Sequence, residues 1–199
     1  MQKICLADCT DIKIGKPSNQ NAEAFRNKKG FFSIKVQVVS GPNKEILDIV
    51  ARHPGSSHNN VIFDRSVVKV RFEKGDVSGL LIGDNQYLCR HYLLTPMVQP
   101  ANTQEISYNA AHVTTKNTVD RLLEAWKRQF PCLQRGLRTK LETTLAIICA
   151  TAVLYNLGLR ENQEFYEGGI NVVSSTRNVN DAKKGLSFRR RFIQDHFIE

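Results

Sequence analysis

Three aspartates occupy positions in this sequence where carboxylates could share a cation. Asp8 lies in a strand predicted over residues 4–14, and Asp84 closes a short apolar segment. Asp120 lies in the predicted first turn of a helix that begins after Asn117. Converging carboxylates bind hard cations such as Mg²⁺ or Mn²⁺, and two such ions can clamp an in-line phosphoryl displacement. The three acids therefore predict metal-dependent phosphodiester cleavage, provided that the fold gathers them.

Each aspartate also has a purely structural interpretation that the pattern leaves open. Asp8 could bond to local amides at the end of a strand, and Asp84 followed by Asn85 is ordinary turn chemistry. Asp120, three residues after Asn117, could cap the helix and complement its dipole. The spacing of the acids does not decide between these alternatives and a metal site.

The elements that must position the acids are predicted from hydrophobic periodicity and turn residues. A first strand is followed by a hairpin, a helix, two short strands and then further helices. This order predicts an α/β fold, a mixed sheet flanked by helices. The predicted elements are strands over 4–14, 32–38, 45–52, 79–83 and 91–94; a helix from Ser56 or Ser57 to about Val68; helices from Asn117 and over 142–157, the latter closed by Gly158; and a basic amphipathic segment over 183–198.

Composition narrows the class of partner. The 199 residues carry a net charge of +9 and are 41% hydrophobic, which favours a packed core and a polyanionic partner. Five scattered cysteines without a CxxC pair, and histidines outside zinc-binding spacing, argue against disulfides and zinc. The longest apolar stretch, 145–159, is shorter than a membrane span and predicts a buried helix, so no membrane partner is expected. The N-terminus lacks the pattern of a signal peptide.

Five blocks in order make the chain from Ile4 to about Leu159 resemble a known family. They resemble those of the PIF/Harbinger transposases and the Harbinger transposase-derived nucleases, whose DDE catalytic domain has an RNase H-like fold. The blocks are ADCT at 7–10, NKKGFFSIKVQVV at 27–39, DIVARHPGSSHNN at 48–60, LLIGDNQYLCRHYLLTP at 80–96 and YNAAHVTTKNTVDRLLEAWKRQFPCL at 108–133.

The resemblance implies that Asp8 and Asp84 are the first two metal-binding acids and that Asp120 stands where the family carries a glutamate. Aspartate shortens that arm by about 1.5 Å, which a helix shift or a bridging water could absorb, or which could abolish activity. Glu124, one helical turn further, is a fallback ligand or else a solvated charge near Lys127 and Arg128.

Other positions depart from the family pattern near the expected site. Gln86 replaces a small glycine after the second acid, and Asn59-Asn60 replace Asp-Ser after His58. Asp11 stands at the place of a frequent histidine, as a metal ligand or a surface charge. The upstream helical region with DNA-recognition elements is absent, so a fragment or truncated product is expected.

DNA contacts must then come from basic residues within this chain. The candidates are Lys28, Lys29, Arg52, Arg121, Lys127 and Arg128, together with the tail KKGLSFRRR at 183–191, which could contact phosphates or serve as a nuclear-import signal. The resemblance further implies a Myb-like partner protein for DNA recognition and location in the nucleus. The oligomeric state is left open.

Two hypotheses follow for function. The first is a Mg²⁺- or Mn²⁺-dependent DNA endonuclease in which the three aspartates hold two metals, one activating water or a DNA 3′-hydroxyl and one stabilising the leaving oxyanion. The second is a decayed or domesticated DNA-binding and protein-interaction module that keeps the fold without catalysis. In either case residues 1–159 are expected to form the DDE domain, and 160–199 a polar excursion and a basic helix.

Overall fold

The computed structural model describes residues 4–18, 21–163 and 182–197. It is a mixed α/β structure in which a five-stranded sheet lies between helices, as the element order predicts. The strands are β1 (Ile4–Lys13), β2 (Ser33–Ser40), β3 (Ile46–Pro54), β4 (Leu80–Ile82) and β5 (Leu93–Leu94). The helices are α1 (Asn59–Asp64), α2 (Val67–Lys74), α3 (Thr103–Gln129), α4 (Pro131–Arg135), α5 (Leu141–Gln163) and α6 (Ala182–His196).

The strand order is β3-β2-β1-β4-β5, with β1 in the centre. Strands β1, β2 and β3 pair antiparallel, whereas β4 and β5 run parallel to β1. In the β1–β4 register Ile4 pairs with Leu80 and Leu6 with Ile82. Two residues further along each strand come Asp8 and Asp84, so this register brings the two acids to the same level of the sheet.

The two faces of the sheet are covered by different helices, and β1 contributes alternate residues to each. Leu6 and Ile12 pack in the larger core with residues of α3 and α5, including Trp126 and Ile148. Cys5 and Ala7 pack in the second core beneath α1 and α2, a cluster that also holds Phe63, Leu81, Tyr87, Tyr92 and Leu93. Because Asp8 follows Leu6 by two residues, its side chain points towards α3.

Several boundaries of helices and strands differ from the sequence prediction. The single helix expected from Ser56 or Ser57 to Val68 is two helices, because the buried Ser66 ends α1 by donating to the Phe63 carbonyl and caps α2 by accepting from Lys69 N at 3.2 Å. Gly158 does not close α5, which continues to Gln163. The last short strand is limited to two residues, Leu93 and Leu94.

The largest correction concerns α3, which begins 15 residues earlier than predicted. Its N-cap is Asn102, whose side chain accepts from Glu105 N at 2.9 Å while the Glu105 carboxylate accepts from Ala101 N at 2.7 Å. Asn117 therefore lies in the helix interior and caps nothing. The alternative in which Asp120 serves a helix N-terminus is wrong.

Helix α5 is less buried than its apolar sequence predicts. Asn156 fastens it to the sheet edge by bonding both the backbone N and O of Ile46, each at 2.8 Å. By length and composition, Leu141–Glu161 is apolar enough to cross a membrane, as the core helices of soluble proteins also can be, and 28% of its apolar 18-residue stretch is buried in this structure. Its exposed apolar residues are Leu141, Val153, Leu154 and Leu157. Most of the predicted polar excursion, residues 164–181, lies outside the described residues.

The corrected start of α3 gives a stability prediction. We expect Asn102→Ala to lower the free energy of unfolding by about 1 kcal/mol, because a capping side chain is lost. Asn117→Ala should leave it unchanged or raise it slightly, because alanine is the better former of a helix interior. Urea unfolding followed by circular dichroism measures both; a loss at Asn117 as large as at Asn102 would contradict the observed helix start.

Candidate functional site

The candidate site is organised around one lysine that sequence reasoning missed. Lys116 Nζ donates to Asp8 Oδ2 at 3.0 Å and to Asp120 Oδ1 at 3.0 Å. Asp8 lies on the central strand β1, and Asp120 lies on α3, 112 positions later in the sequence. Lys116 precedes Asp120 by one helical turn. The ammonium thus brings two of the three predicted acids to one point.

The geometry of α3 explains why Lys116 and Asp120 act together. Residues four apart lie on one face of a helix, and here that face packs over β1. Val119, Leu122 and Trp126 are buried alongside and fix the rotation of the helix. One turn before Lys116, the buried His112 lies close to the ends of β4 and β5, and burial lowers the pKa of its imidazole.

Asp84 lies beside Asp8 without touching the lysine. Its carboxylate accepts a hydrogen bond from Gln86 N at 2.9 Å. Asp84 therefore forms the turn that the sequence offered as the structural alternative to a metal ligand. The loop it opens is fastened beneath β1, because the Tyr87 hydroxyl lies 3.3 Å from the sulfur of Cys9. The Asp84 charge is near enough to contribute to raising the pKa of Asp8.

Asp8 is the most deeply buried acid of the three. Its side chain is 10% exposed, and one oxygen accepts from Cys9 N at 2.8 Å. Burial raises the pKa of Asp8 to about 6, although Lys116 and the Cys9 amide both oppose the rise. Burial would lower the pKa of Lys116, but the two carboxylates raise it overall. A nearby cation stabilises the charged form of a buried carboxylate. A carboxylate that binds a metal ion is stabilised in the same way.

A cleft of about 600 Å³ opens beside the two paired acids. It is lined by Asp8, Cys9, Thr10, Asn117, Asp120, Arg121, Leu123, Glu124 and Lys127. Glu124, which was predicted as a fallback metal ligand, is exposed and lines this cleft. It makes no contact with Lys116. Asp11 faces elsewhere: its carboxylate accepts from Ser33 Oγ at 2.8 Å and lies 3.7 Å from Lys35 Nζ.

The six predicted DNA-contacting residues do not form one patch. Arg121 and Lys127 line the cleft. Burial lowers the pKa of Lys127, and the nearby charge of Lys29 lowers it further. Lys28 and Arg128 are exposed, the latter two helical turns from Arg121 on α3. Arg52 lies apart from the cleft lining and donates to the Arg65 carbonyl at 3.0 Å.

The donor set suits a hard divalent cation, although a complete cluster is not formed. Across residues 4–18, 21–163 and 182–197, no group of three or more histidine, cysteine or acidic side chains is close enough to hold a metal. Two carboxylates nevertheless already share one cationic nitrogen, and a third, Asp84, lies just beyond the end of the adjacent strand. Carboxylate oxygens are the ligands that Mg²⁺ and Mn²⁺ prefer, so the residues present fit such an ion.

Lys116 carried a signal that the sequence could have yielded. A basic residue four positions before an acid on a helix predicts an ion pair, whatever else the acid does. The signal was missed because the helix was predicted to begin after Asn117, which placed Lys116 outside it. Cys9 and Tyr87 gave no comparable signal, since their contact joins residues 78 positions apart.

The chain is similar in sequence to several known proteins. Residues 7–156 match the family model described as "DDE superfamily endonuclease". Proteins titled "Putative nuclease HARBI1" are similar: that of Mus musculus is 29% identical over 84% of this chain, and that of Xenopus laevis 27% over 79%. These alignments cover 49% and 46% of the relatives, so the chain spans about half their length. No solved structure gives a significant match.

The raised pKa of Asp8 predicts how stability depends on pH without metal. The folded state holds this proton up to about pH 6, whereas the unfolded chain loses it near 3.8. The resulting contribution to stability is present below pH 3.8 and is lost as pH rises through 6. Relative to Asp8→Asn, the wild type should therefore lose about 2 kcal/mol between pH 4 and 7.

Urea unfolding of both proteins at several pH values measures this difference. Asp76→Asn is the matched control, because Asp76 is exposed on the turn after α2. Parallel pH profiles for wild type and Asp8→Asn would contradict the raised pKa.

Proposed function

Because this chain belongs to the DDE superfamily endonuclease family, we propose that it is a metal-dependent DNA endonuclease in which Asp8, Asp84 and Asp120 hold the divalent cations. The observation that carries the proposal is the convergence of Asp8 and Asp120 on a single cationic nitrogen, with Asp84 in the turn that follows the neighbouring strand. The strand order 3-2-1-4-5 supports assigning the fold as RNase H-like.

In this proposal the protein supplies ligands, position and charge. Bound Mg²⁺ or Mn²⁺, as a pair, would supply Lewis acidity that makes water a nucleophile and stabilises the leaving oxygen of the phosphodiester. Asp8 is held in place by the Cys9 amide and Asp84 by its turn, so both carboxylates keep a fixed orientation. Arg121 and Lys127, at the cleft, would neutralise DNA phosphates beside the scissile bond.

The wider roles of the protein belong to the same proposal. DNA is the substrate that an endonuclease family of this kind acts on, and the net charge of +9 supports a polyanionic partner. A Myb-like partner protein and location in the nucleus follow from the resemblance to the Harbinger-derived nucleases. The partner and the location are inferred from relatives of which this chain spans about half the length.

One observation favours the alternative, a DNA-binding module without catalysis. Lys116 already pairs with both Asp8 and Asp120 and neutralises one of their two negative charges, so the two acids are held together by the protein itself without a metal ion. Under this alternative the basic surface would be retained and the acids would serve only to join α3 to the sheet.

Cleavage of supercoiled plasmid in the presence of Mn²⁺ separates the two functions. We expect nicking by the wild type and a loss of at least 100-fold in rate for Asp8→Asn, Asp84→Asn and Asp120→Asn, because each removes a charged ligand. Agarose gel electrophoresis of time courses measures the rates.

Asp76→Asn, which changes an exposed acid away from the cleft, should nick plasmid at the wild-type rate. Nicking that survives Asp84→Asn at full rate would exclude the proposed ligand set. A wild type that binds DNA but does not nick it with Mn²⁺ or Mg²⁺ would establish the non-catalytic module instead.

The cleft also predicts which cations contact DNA. Each phosphate contact contributes about 0.9 to the slope of log affinity against log salt concentration. The double variant Arg121→Gln/Lys127→Gln should therefore lower the magnitude of that slope by about 2. Arg52→Gln should leave it unchanged, because Arg52 lies apart from the cleft. Fluorescence anisotropy of a labelled duplex at several salt concentrations measures both, and equal effects would refute the assignment of the cleft as the DNA-binding surface.

A further inference from the structure

We propose that Lys116 is a tethered counter-ion which occupies the cation position between Asp8 and Asp120 and must be displaced when a divalent metal binds. This inference rests on the proposed function, since it concerns how the same acids take up their cation. It adds a positioning residue that holds the acids together before metal arrives and sets how tightly metal is bound.

The distances support competition for one position. Lys116 Nζ lies 3.0 Å from one oxygen of each carboxylate, and both contacts are charged hydrogen bonds. A Mg²⁺ ion shared by the same two oxygens would stand about 2 Å from each. An ammonium and a divalent cation cannot both lie between one pair of carboxylate oxygens, because they would overlap in space and repel.

The charge count points the same way. Asp8 and Asp120 together carry two negative charges, of which Lys116 neutralises one, and Asp84 adds a third acid beside them. Removing the lysine charge leaves the acids unmatched, and the deeply buried Asp8 then has the greatest need for another cation. Metal affinity should therefore rise when the ammonium is removed.

The side chain of Lys116 is able to leave. It is 20% exposed and lies one helical turn before Asp120, on the same face of α3, and Asp120 lines the cleft. Lysine carries its charge on a flexible four-carbon stem, so the ammonium can turn outwards into the solvent while the helix stays in place. No rearrangement of the backbone is needed.

Calorimetric titration of the metal-free protein with Mn²⁺ tests the proposal. We expect Lys116→Met to bind Mn²⁺ at least tenfold more tightly than the wild type, whereas Lys116→Arg, which keeps the charge, should bind it no more tightly. Lys74→Met is the matched control: it removes the same charge from an exposed lysine in the last turn of α2, outside the cleft, and the affinity for Mn²⁺ should change less than twofold.

Thermal unfolding gives a second readout if Lys116→Met is poorly folded without metal. Saturating Mn²⁺ should raise the unfolding midpoint of Lys116→Met more than that of the wild type, since tighter binding stabilises the folded state more. Lys116→Gln, which keeps a hydrogen-bond donor without the charge, should behave in the same way.

The outcomes separate this inference from the proposed function. Equal Mn²⁺ affinity in the wild type and Lys116→Met, lost in both on adding Asp8→Asn, would overturn the counter-ion role and leave the metal site standing. No Mn²⁺ binding by either protein at millimolar concentration would overturn both proposals. Tighter binding in Lys116→Met that survives Asp8→Asn would place the metal elsewhere and refute the inference.

Discussion

The ionic contact of Lys116 with Asp8 and Asp120 is the interaction on which the candidate site depends. It joins the central strand of the sheet to the middle of the longest helix, and both contacts measure 3.0 Å. An unpaired carboxylate at the position of Asp8 would be costly, because burial disfavours its charged form. The same burial makes the position useful, since a carboxylate held away from water gains more from a cation than an exposed one does.

The sheet supplies the second constraint. Parallel pairing of β1 with β4 places Asp8 and Asp84 at one level, and the alternation of side chains along β1 turns Asp8 towards α3. The Cys9–Tyr87 contact then keeps the Asp84 loop beneath β1. Two of the purely structural interpretations are therefore confirmed: Asp8 accepts a hydrogen bond from a local amide, and Asp84 forms a turn. Both are compatible with a metal site, because each bond orients a carboxylate without neutralising its charge.

Much of this arrangement could be predicted from the sequence, for identifiable reasons. The alternating and continuous apolar segments of β1 to β4 follow directly from burial, and the acids stood out because they end or interrupt such segments. The start of α3 could not be predicted, because its first half exposes Ile106 and Val113 and lacks a continuous apolar stripe. That half is held by tertiary contacts, such as Tyr108 Oη donating to the Thr95 carbonyl at 2.9 Å. The prediction that Gly158 ends α5 was wrong because a tertiary contact, and not a helix end, accounts for this glycine. It lies inside α5 against the Gln129 side chain, where a Cβ would stand 3.4 Å from the amide nitrogen.

A crystal of the protein soaked in Mn²⁺, with anomalous differences used to locate the ion, tests most directly whether the acids bind metal. We expect an anomalous peak about 2 Å from carboxylate oxygens of Asp8 and Asp120, with Lys116 Nζ withdrawn from between them. If the lysine keeps both contacts and no ion is found beside Asp8, the three charged groups are a structural link between helix and sheet and not a metal site.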